Sequence, residues 1–328
     1  YYINLSYKLK VAQPFAEAGY ELATAQFKLP VHRRGIKIQP VGDLHIYREL
    51  STLHVEGSNF SVVFDTVRGN LIELSRDGLQ VIEKGPQFTF WRAPISNDME
   101  IIDEMKKKQF LHLEHDIVKD FNYEQNDESV KVKVETIHGT TNSAWHYQCT
   151  YVYTIYPNGD IVFSLEGNPA GKIDMAPEML PRLGVKLALD KDLNNVKYFG
   201  RGPRENYKDS KESAFIGVYD STVEEMFTNY VVPQANGNRM DTSWIALTND
   251  RGMGLLASTE DTFNFSTSYY EEVDLDQVLH TCDLRKRDYV VLNIDYSQNA
   301  LGSYSCGQWQ MKKYRTTFEK FKLSFRLT

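Results

Sequence analysis

The segment that most restricts the fold runs from Tyr147 to Leu165. Tyr147 to Tyr156 alternates apolar and polar residues, Pro157-Asn158-Gly159-Asp160 turns the chain, and Ile161 to Leu165 returns. Two period-2 runs joined through Asn-Gly make an antiparallel hairpin, because Asn and Gly tolerate the positive φ that a tight turn demands. The pattern recurs at Ser61–Phe64 and Leu71–Leu74, separated by Arg68-Gly69-Asn70 and followed by Arg76-Asp77-Gly78. Further strands are expected at Val130–Thr136, Val185–Leu189, Ile245–Thr248, Gly254–Ala257, Tyr289–Ile294 and Lys322–Leu327. The 20 Tyr and 17 Phe residues suit half-buried pleated surfaces. Helical signals are few: Met99 to Phe110, a capping box at Ser221 and Glu224 for a short helix through Phe227, and Leu275 to Leu279. Without regular strand–helix alternation, a (β/α)₈ barrel or a dinucleotide-binding domain is excluded in favour of an all-β antiparallel sandwich with few short helices.

At 328 residues the chain has room for about two domains. A polar, turn-rich stretch, 31–50, reads as a linker. It divides 1–30, too short for a core and expected to be the last strands of a truncated domain, from a large domain at 51–328. The chain opens on Tyr1 inside a strand-like run to Val11, so it is expected to be a piece of something longer. No apolar run is long enough to span a bilayer and none follows a cationic segment at the start, so neither a membrane span nor a signal peptide is expected. A net charge of -7 argues against nucleic acid and anionic membrane as partners. The three cysteines, Cys149, Cys282 and Cys306, are far apart and lack CxxC spacing, which points away from a disulfide framework or a zinc site and towards a cytoplasmic location.

Candidate chemistry lies in four loops: Phe90–Asp98, Tyr198–Tyr207, Val232–Asp241 and Gly302–Trp309. Each combines Asn, Asp, Arg or Gln with glycine or aromatic neighbours. Planar amides, carboxylates and guanidinium groups bind sugar hydroxyls, and an aromatic face covers the C–H side. Asn and Gly also occupy loops for purely conformational reasons. No phosphate loop, nucleophile elbow or metal-ligand spacing occurs, and no pair of carboxylates is singled out for hydrolytic work.

The same loops resemble the C-terminal, small-chain domain of family 2 β-galactosidases. Trp91-Arg92-Ala93-Pro94-Ile95-Ser96-Asn97-Asp98 is similar to its Arg-Ala-Pro-x-x-Asn-Asp stretch, and Gly200–Asp209 to its Gly-x-Gly-Pro-x-Glu-Asn-Tyr-x-Asp. Leu180–Gly184, Pro233–Arg239 and the stretch from Asn293 to Gly307 follow the same pattern, and Tyr1–Pro30 resembles the end of the preceding immunoglobulin-like domain. The chain looks nearest to the cytoplasmic enzymes of low-GC Gram-positive bacteria, the evolved β-galactosidase type included.

The resemblance implies a galactose mutarotase-like super-sandwich and a retaining hydrolase of terminal β-D-galactosides such as lactose. The family's two catalytic glutamates sit on an upstream barrel, so no catalytic residue falls in this chain, which by itself is expected to be inactive. It implies that Asn236, Gly237 and Arg239 line the substrate pocket. Arg92, Asn97, Asp98, Arg201, Glu205 and Asn206 are expected to shape loops or face the barrel. Some relatives carry a Trp that stacks on the sugar. Here the matching position is Cys306, with Trp309 three residues later. Cys306 and Trp309 are thus the pocket-lining candidates of this loop: either Trp309 stacks from a shifted place, or the site offers the Cys306 thiol and weaker apolar contact, and a packing role for Trp309 in the loop or an interface is preferred. The implied partners are a galactoside and the catalytic barrel, in an oligomeric parent. Mg²⁺ and Na⁺ would be held mostly by other domains, with no cofactor or metal ligand here. Two alternatives stay open: a free-standing carbohydrate-binding module, and a mutarotase-like epimerase using His146 or His280.

Overall fold

The computed structural model describes residues 1–31 and 42–328. Contacts divide the chain into two units, Tyr1–Gln39 and Pro40–Thr328. The first is an antiparallel hairpin of β1 (Tyr2–Lys8) and β2 (Glu21–Lys28), with Tyr7, Leu22 and Phe27 exposed. Half of the expected linker, from residue 32 to 41, lies outside the described residues, but His45–Glu49 at its end is strand.

The second unit is one antiparallel sheet of 16 strands. In chain order they are β3 (His45–Glu49), β4 (Thr52–Glu56), β5 (Phe60–Asp65), β6 (Asn70–Arg76), β7 (Leu79–Thr89), β8 (Glu114–Gln125), β9 (Val130–Thr140) and β10 (Trp145–Ile155). Then come β11 (Ile161–Gly171), β12 (Arg182–Asp190), β13 (Asn195–Gly202), β14 (Phe215–Thr222), β15 (Arg239–Thr248), β16 (Gly254–Ser268), β17 (Tyr289–Gln298) and β18 (Phe321–Leu327). The main path is β3-β4-β5-β6-β7-β12-β17-β16-β18-β11-β10-β9-β8, with β15, β13 and β14 branching from β16.

The sheet curls so that its two halves face one another. Phe64 on β5 meets Tyr153 on β10 at 5.0 Å between ring centroids, and Phe88 on β7 meets Tyr147 on β10 at 5.6 Å and Phe321 on β18 at 5.2 Å. Alternation drives this arrangement. Along β10 the residues Trp145, Tyr147, Cys149, Tyr151, Tyr153 and Ile155 point inward, and along β18 Phe321, Leu323, Phe325 and Leu327 do. The all-β super-sandwich expected from sequence is therefore the observed architecture. The Tyr156–Asp160 turn forms as expected, with Gly159 at φ +86° and its N–H donating to the Tyr156 carbonyl.

The helices depart from expectation. Met99–Phe110 is not one helix: Glu104–Lys108 is a π-turn in which the Gln109 N–H donates to the Glu104 carbonyl, and Phe110 then turns left-handed. The wider turn fits the spacing of the buried Met105 with the half-buried Ile101 and Phe110, four residues and then five. The capping box sits one residue later than expected. Thr222 Oγ1 accepts from Glu225 N–H and Glu225 accepts from Thr222 N–H, while Ser221 stays in the sheet opposite Val196. This register starts helix α1 (Val223–Met226) with both of its end residues buried. Helix α2 is Glu272–Asp276 rather than Leu275–Leu279, because the Asp274 carboxylate accepts from Glu271 N–H and buries Leu275 while Leu279 stays 70% exposed.

Phe88 is 2% exposed at the meeting point of both halves of the sheet. Phe88→Ala is expected to cost about 3–5 kcal/mol of unfolding free energy, measured by urea denaturation monitored by circular dichroism.

Candidate functional site

The four polar loops converge at the end of the sheet where β12 and β15 begin and β17 ends. Arg182, at the start of β12, lies beneath them and is 1% exposed. Its guanidinium holds Asp295 of β17 through both Nη2 bonds, 2.6 and 2.7 Å, and an Nε bond of 3.1 Å. Its remaining Nη1 donates to Glu272 of α2 at 3.0 Å, and Glu272 accepts the Ala93 N–H at 2.5 Å. Burial pushes Asp295 up to about 6 against the pull of Arg182, so it is still ionised at neutral pH and the pair persists. Gly184, two residues along β12, leaves room for it: a Cβ there would lie 1.8 Å from Asp295 Oδ1.

Arg92 leads the first loop. It donates to Asp98 at 3.4 Å and to the Asn299 carbonyl at 3.2 Å, while Asp98 also accepts Ile95 N–H. Asn97 donates to the Gly302 carbonyl at 2.8 Å and accepts from the Ser305 hydroxyl at 2.6 Å, which joins the first loop to the fourth. Gln234 accepts from both the N–H and the hydroxyl of Ser96 at 3.0 Å, joining the first loop to the third. Asp209 accepts the Gly302 N–H at 2.7 Å, joining the second to the fourth. A satellite apolar cluster of Ala93, Ile95, Ala235, Leu275 and Leu284 packs beneath these loops.

The second and third loops interlock. The fully buried Asn206 donates its amide to the Arg201 and Arg204 carbonyls and accepts Met240 N–H, and Asn238 donates to the Asn206 carbonyl at 2.8 Å. Glu205 accepts Gly237 N–H at 2.7 Å, Tyr207 at 3.2 Å and the Tyr230 hydroxyl. Burial, with Glu205 as acceptor, pushes the Tyr230 phenol up. Gly237 sits at φ +78° with the Met226 carbonyl 2.9 Å from any Cβ, so glycine is required there.

Arg239 is 4% exposed and turned inward, donating to the carbonyls of Gly237 at 2.8 Å and Pro203 at 3.1 Å. Arg201 points to Asp241 at 2.6 Å and to two carbonyls. Burial raises the Asp241 carboxyl, but Arg201 and Lys211 outweigh it and hold it below the usual range. Asn236 is partly exposed, accepting Thr228 N–H at 2.9 Å.

In the fourth loop Cys306 is exposed and Trp309 is half-buried. Arg315 lies over the indole at 5.4 Å and Tyr304 packs against it at 4.6 Å. Trp309, Tyr304, Asn97 and Gln310 border a crevice of about 10 Å³, room for about one water. A wider groove of about 770 Å³ opens at the far end of the strands, beside Asp192, Asn249 and Tyr269, and takes in none of these residues. His146 lies in β10 and His280 is exposed after α2. Among the described residues no three His, Cys, Asp or Glu side chains form a metal-binding group, and no helix is long and apolar enough to cross a membrane.

The structure thus gathers Arg92, Asn97, Asp98, Glu205, Asn206, Asn236, Gly237, Arg239 and Trp309 into one loop assembly, with Arg201 at its margin. Arg182, Asp295, Glu272 and Gln234, which hold it together, were not singled out from sequence. Arg182 and Asp295 do fall inside the quoted stretches Leu180–Gly184 and Asn293–Gly307, but pairing across 113 positions leaves no local signal. Most of the polar groups are spent on each other, so the assembly acts as a shaped wall rather than as a set of free reactive groups.

A curled antiparallel β domain carrying such a loop wall defines the class. The chain belongs to the family described as beta-galactosidase small chain, which matches residues 56–327. It is 27% identical to a beta-galactosidase of Actinobacillus pleuropneumoniae over 99% of this chain and 32% of that protein. It is 28% identical to one of Priestia megaterium, over 95% and 29%, and 28% to one of Kluyveromyces lactis, over 95% and 30%. The chain therefore spans about a third of the length of these relatives. Among solved structures it is similar to a galactose 1-epimerase from Lactobacillus acidophilus NCFM, at 10% identity and a TM-score of 0.36, covering 88% of this chain and 98% of that one.

Gly184→Ala is expected to displace Asp295 and cost about 3 kcal/mol or more, the upper end for overpacking a core. Chemical denaturation would read the loss, and tryptophan fluorescence near Trp309 would report loosening of the loops.

Proposed function

We propose that this chain is the C-terminal domain of a retaining family 2 β-galactosidase that hydrolyses terminal β-D-galactosides such as lactose. Membership of the small-chain family over residues 56–327 carries the reading. The four-loop assembly supports its role as a wall of the galactoside pocket, with Asn236, Gly237 and Arg239 setting the edge nearest the sugar. The inward Arg239 acts through the backbone it holds, at Pro203 and Gly237, rather than as a free cation. The contacts of Arg315 and Tyr304 with the half-buried Trp309 support packing in place of stacking on the sugar.

Chemistry belongs to a barrel outside this chain, which supplies both glutamates and meets Arg92, Asn97, Asp98, Arg201, Glu205 and Asn206 or the loops they shape. Mg²⁺ and Na⁺ are assigned to other parts of an oligomeric parent. A cytoplasmic location rests on the three cysteines, which are unpaired in this fold. Residues 1–30 are read as the last strands of a preceding immunoglobulin-like domain, a reading supported by the exposed apolar side chains of the β1–β2 hairpin.

The chain alone is expected to leave a chromogenic β-galactoside untouched, and addition of a separately purified barrel-containing fragment to give turnover. Hydrolysis by the rigorously purified chain alone would overturn the division of labour. In the reconstituted enzyme Arg239→Ala is expected to lower kcat/KM about tenfold, equivalent to ~1.4 kcal/mol.

A further inference from the structure

Beneath the first loop lies a buried ionic cluster that the galactosidase reading does not use. His138 of β9 is 1% exposed. Its Nδ1 is 3.0 Å from Asp116 and its Nε2 is 3.2 Å from Glu114, both on β8. A neutral imidazole has one N–H and one lone pair, so one of the two carboxylates would face a lone pair. Two carboxylates on opposite nitrogens call for both N–H groups, which is the cation.

The surroundings enclose the His138 ring, while the Glu114 and Asp116 side chains stay 18% and 15% exposed. Phe88 and Phe90 lie against the ring with centroids 4.5 and 4.9 Å away. Thr136 donates to Asp116 at 3.1 Å. The other titratable groups that feel it are Cys149, Tyr151 and Tyr153 of β10, which sense Asp116, and Arg182 of β12, which senses Glu114.

Glu114 carries the cluster to the loop. One oxygen accepts the Phe90 N–H at 2.8 Å, and the other accepts the Thr89 hydroxyl at 2.5 Å. Thr89 Oγ1 in turn accepts the Trp91 N–H at 3.2 Å. Phe90 and Trp91 are the residues at which β7 ends and the loop bearing Arg92, Asn97 and Asp98 begins.

We propose that Glu114 is a positioning residue for the Phe90–Asp98 loop, held in place by a His138 cation that Asp116 secures from the other side. Protonation of one buried ring thereby sets the pose of one edge of the loop wall. Burial opposes the charge, but the two carboxylates outweigh it and raise His138 to about 9. With the folded value above the unfolded value of about 6.5, the contribution is fully present below pH 6.5 and is lost as pH rises through 9.

The test needs no sugar, so it stands or fails separately from the galactosidase reading. The chain, labelled with ¹³C and ¹⁵N, is titrated from pH 6 to 10.5 by NMR. The His138 ring is expected to titrate near 9, and the backbone amides of Phe90 to Asp98 to shift with the same midpoint. Glu114→Gln, which keeps an oxygen acceptor for Phe90 N–H, is expected to retain slow hydrogen exchange there while lowering the His138 midpoint by at least one pH unit. Glu114→Ala is expected to speed that exchange more than tenfold. A His138 midpoint at or below 6.5, or loop amides that stay flat while the ring titrates, would overturn the proposal. Equal exchange in the Gln and Ala variants would reduce Glu114 to a bystander. If the Ala variant fails to fold, the wild-type titration and the Gln variant decide the matter.

Discussion

The pair formed by Arg182 and Asp295 is the joint on which the loop end of this molecule depends. Both residues are fully buried where β12 and β17 lie side by side at the centre of the sheet. An unpaired charge in that place would cost several kcal/mol, so the pair is viable only with the full set of bonds that Arg182 makes. Glu272 extends it to α2 and, through the Ala93 N–H, to the first loop. The absence of a side chain at Gly184 is what lets the Asp295 carboxylate reach its partner.

From that joint outward the assembly is built by side chains that satisfy loop backbone. Asn206, Asn97, Asp209, Glu205 and Arg239 each bond main-chain groups of a different segment, Arg239 through the Pro203 carbonyl. Irregular backbone buried among other loops cannot pair with itself in ladders, so amides and carboxylates complete its hydrogen bonding. This explains why the loops are rich in Asn, Gly and Arg without exposing many of them. A loop assembly made this way has a fixed shape.

Legibility followed the range of the interactions. Strand positions such as Val130, Val185 and Tyr289 were readable because alternation is a local consequence of burying one face. The capping box slipped by one residue because Ser221-Thr222 and Glu224-Glu225 offer two overlapping boxes, and the strand pairing runs on to Thr222 opposite Asn195, which leaves Thr222 as the cap. Strands β3, β4, β7, β8, β13 and β14 were not picked out from the sequence. Glycine-rich Gly200-Arg201-Gly202 resembles a turn, yet β13 continues through it. A Cβ on Gly200 would meet Thr242 at 2.2 Å, so the glycine there serves a close approach between strands.

What the sequence alone determined is the class of the fold and the four polar loop segments that converge at one end of the sheet, since both rest on neighbours along the chain: alternation, turn residues and local composition. The tertiary structure decided which side chains meet and which way they face. Arg239 is turned inward, Trp309 packs against Arg315 and Tyr304, Glu205 is committed to three donors, and His138 lies between two carboxylates. Each of those outcomes depends on groups brought together from distant parts of the chain by the curl of the sheet. Their energies are set by burial and partner geometry, quantities that no single stretch of sequence contains.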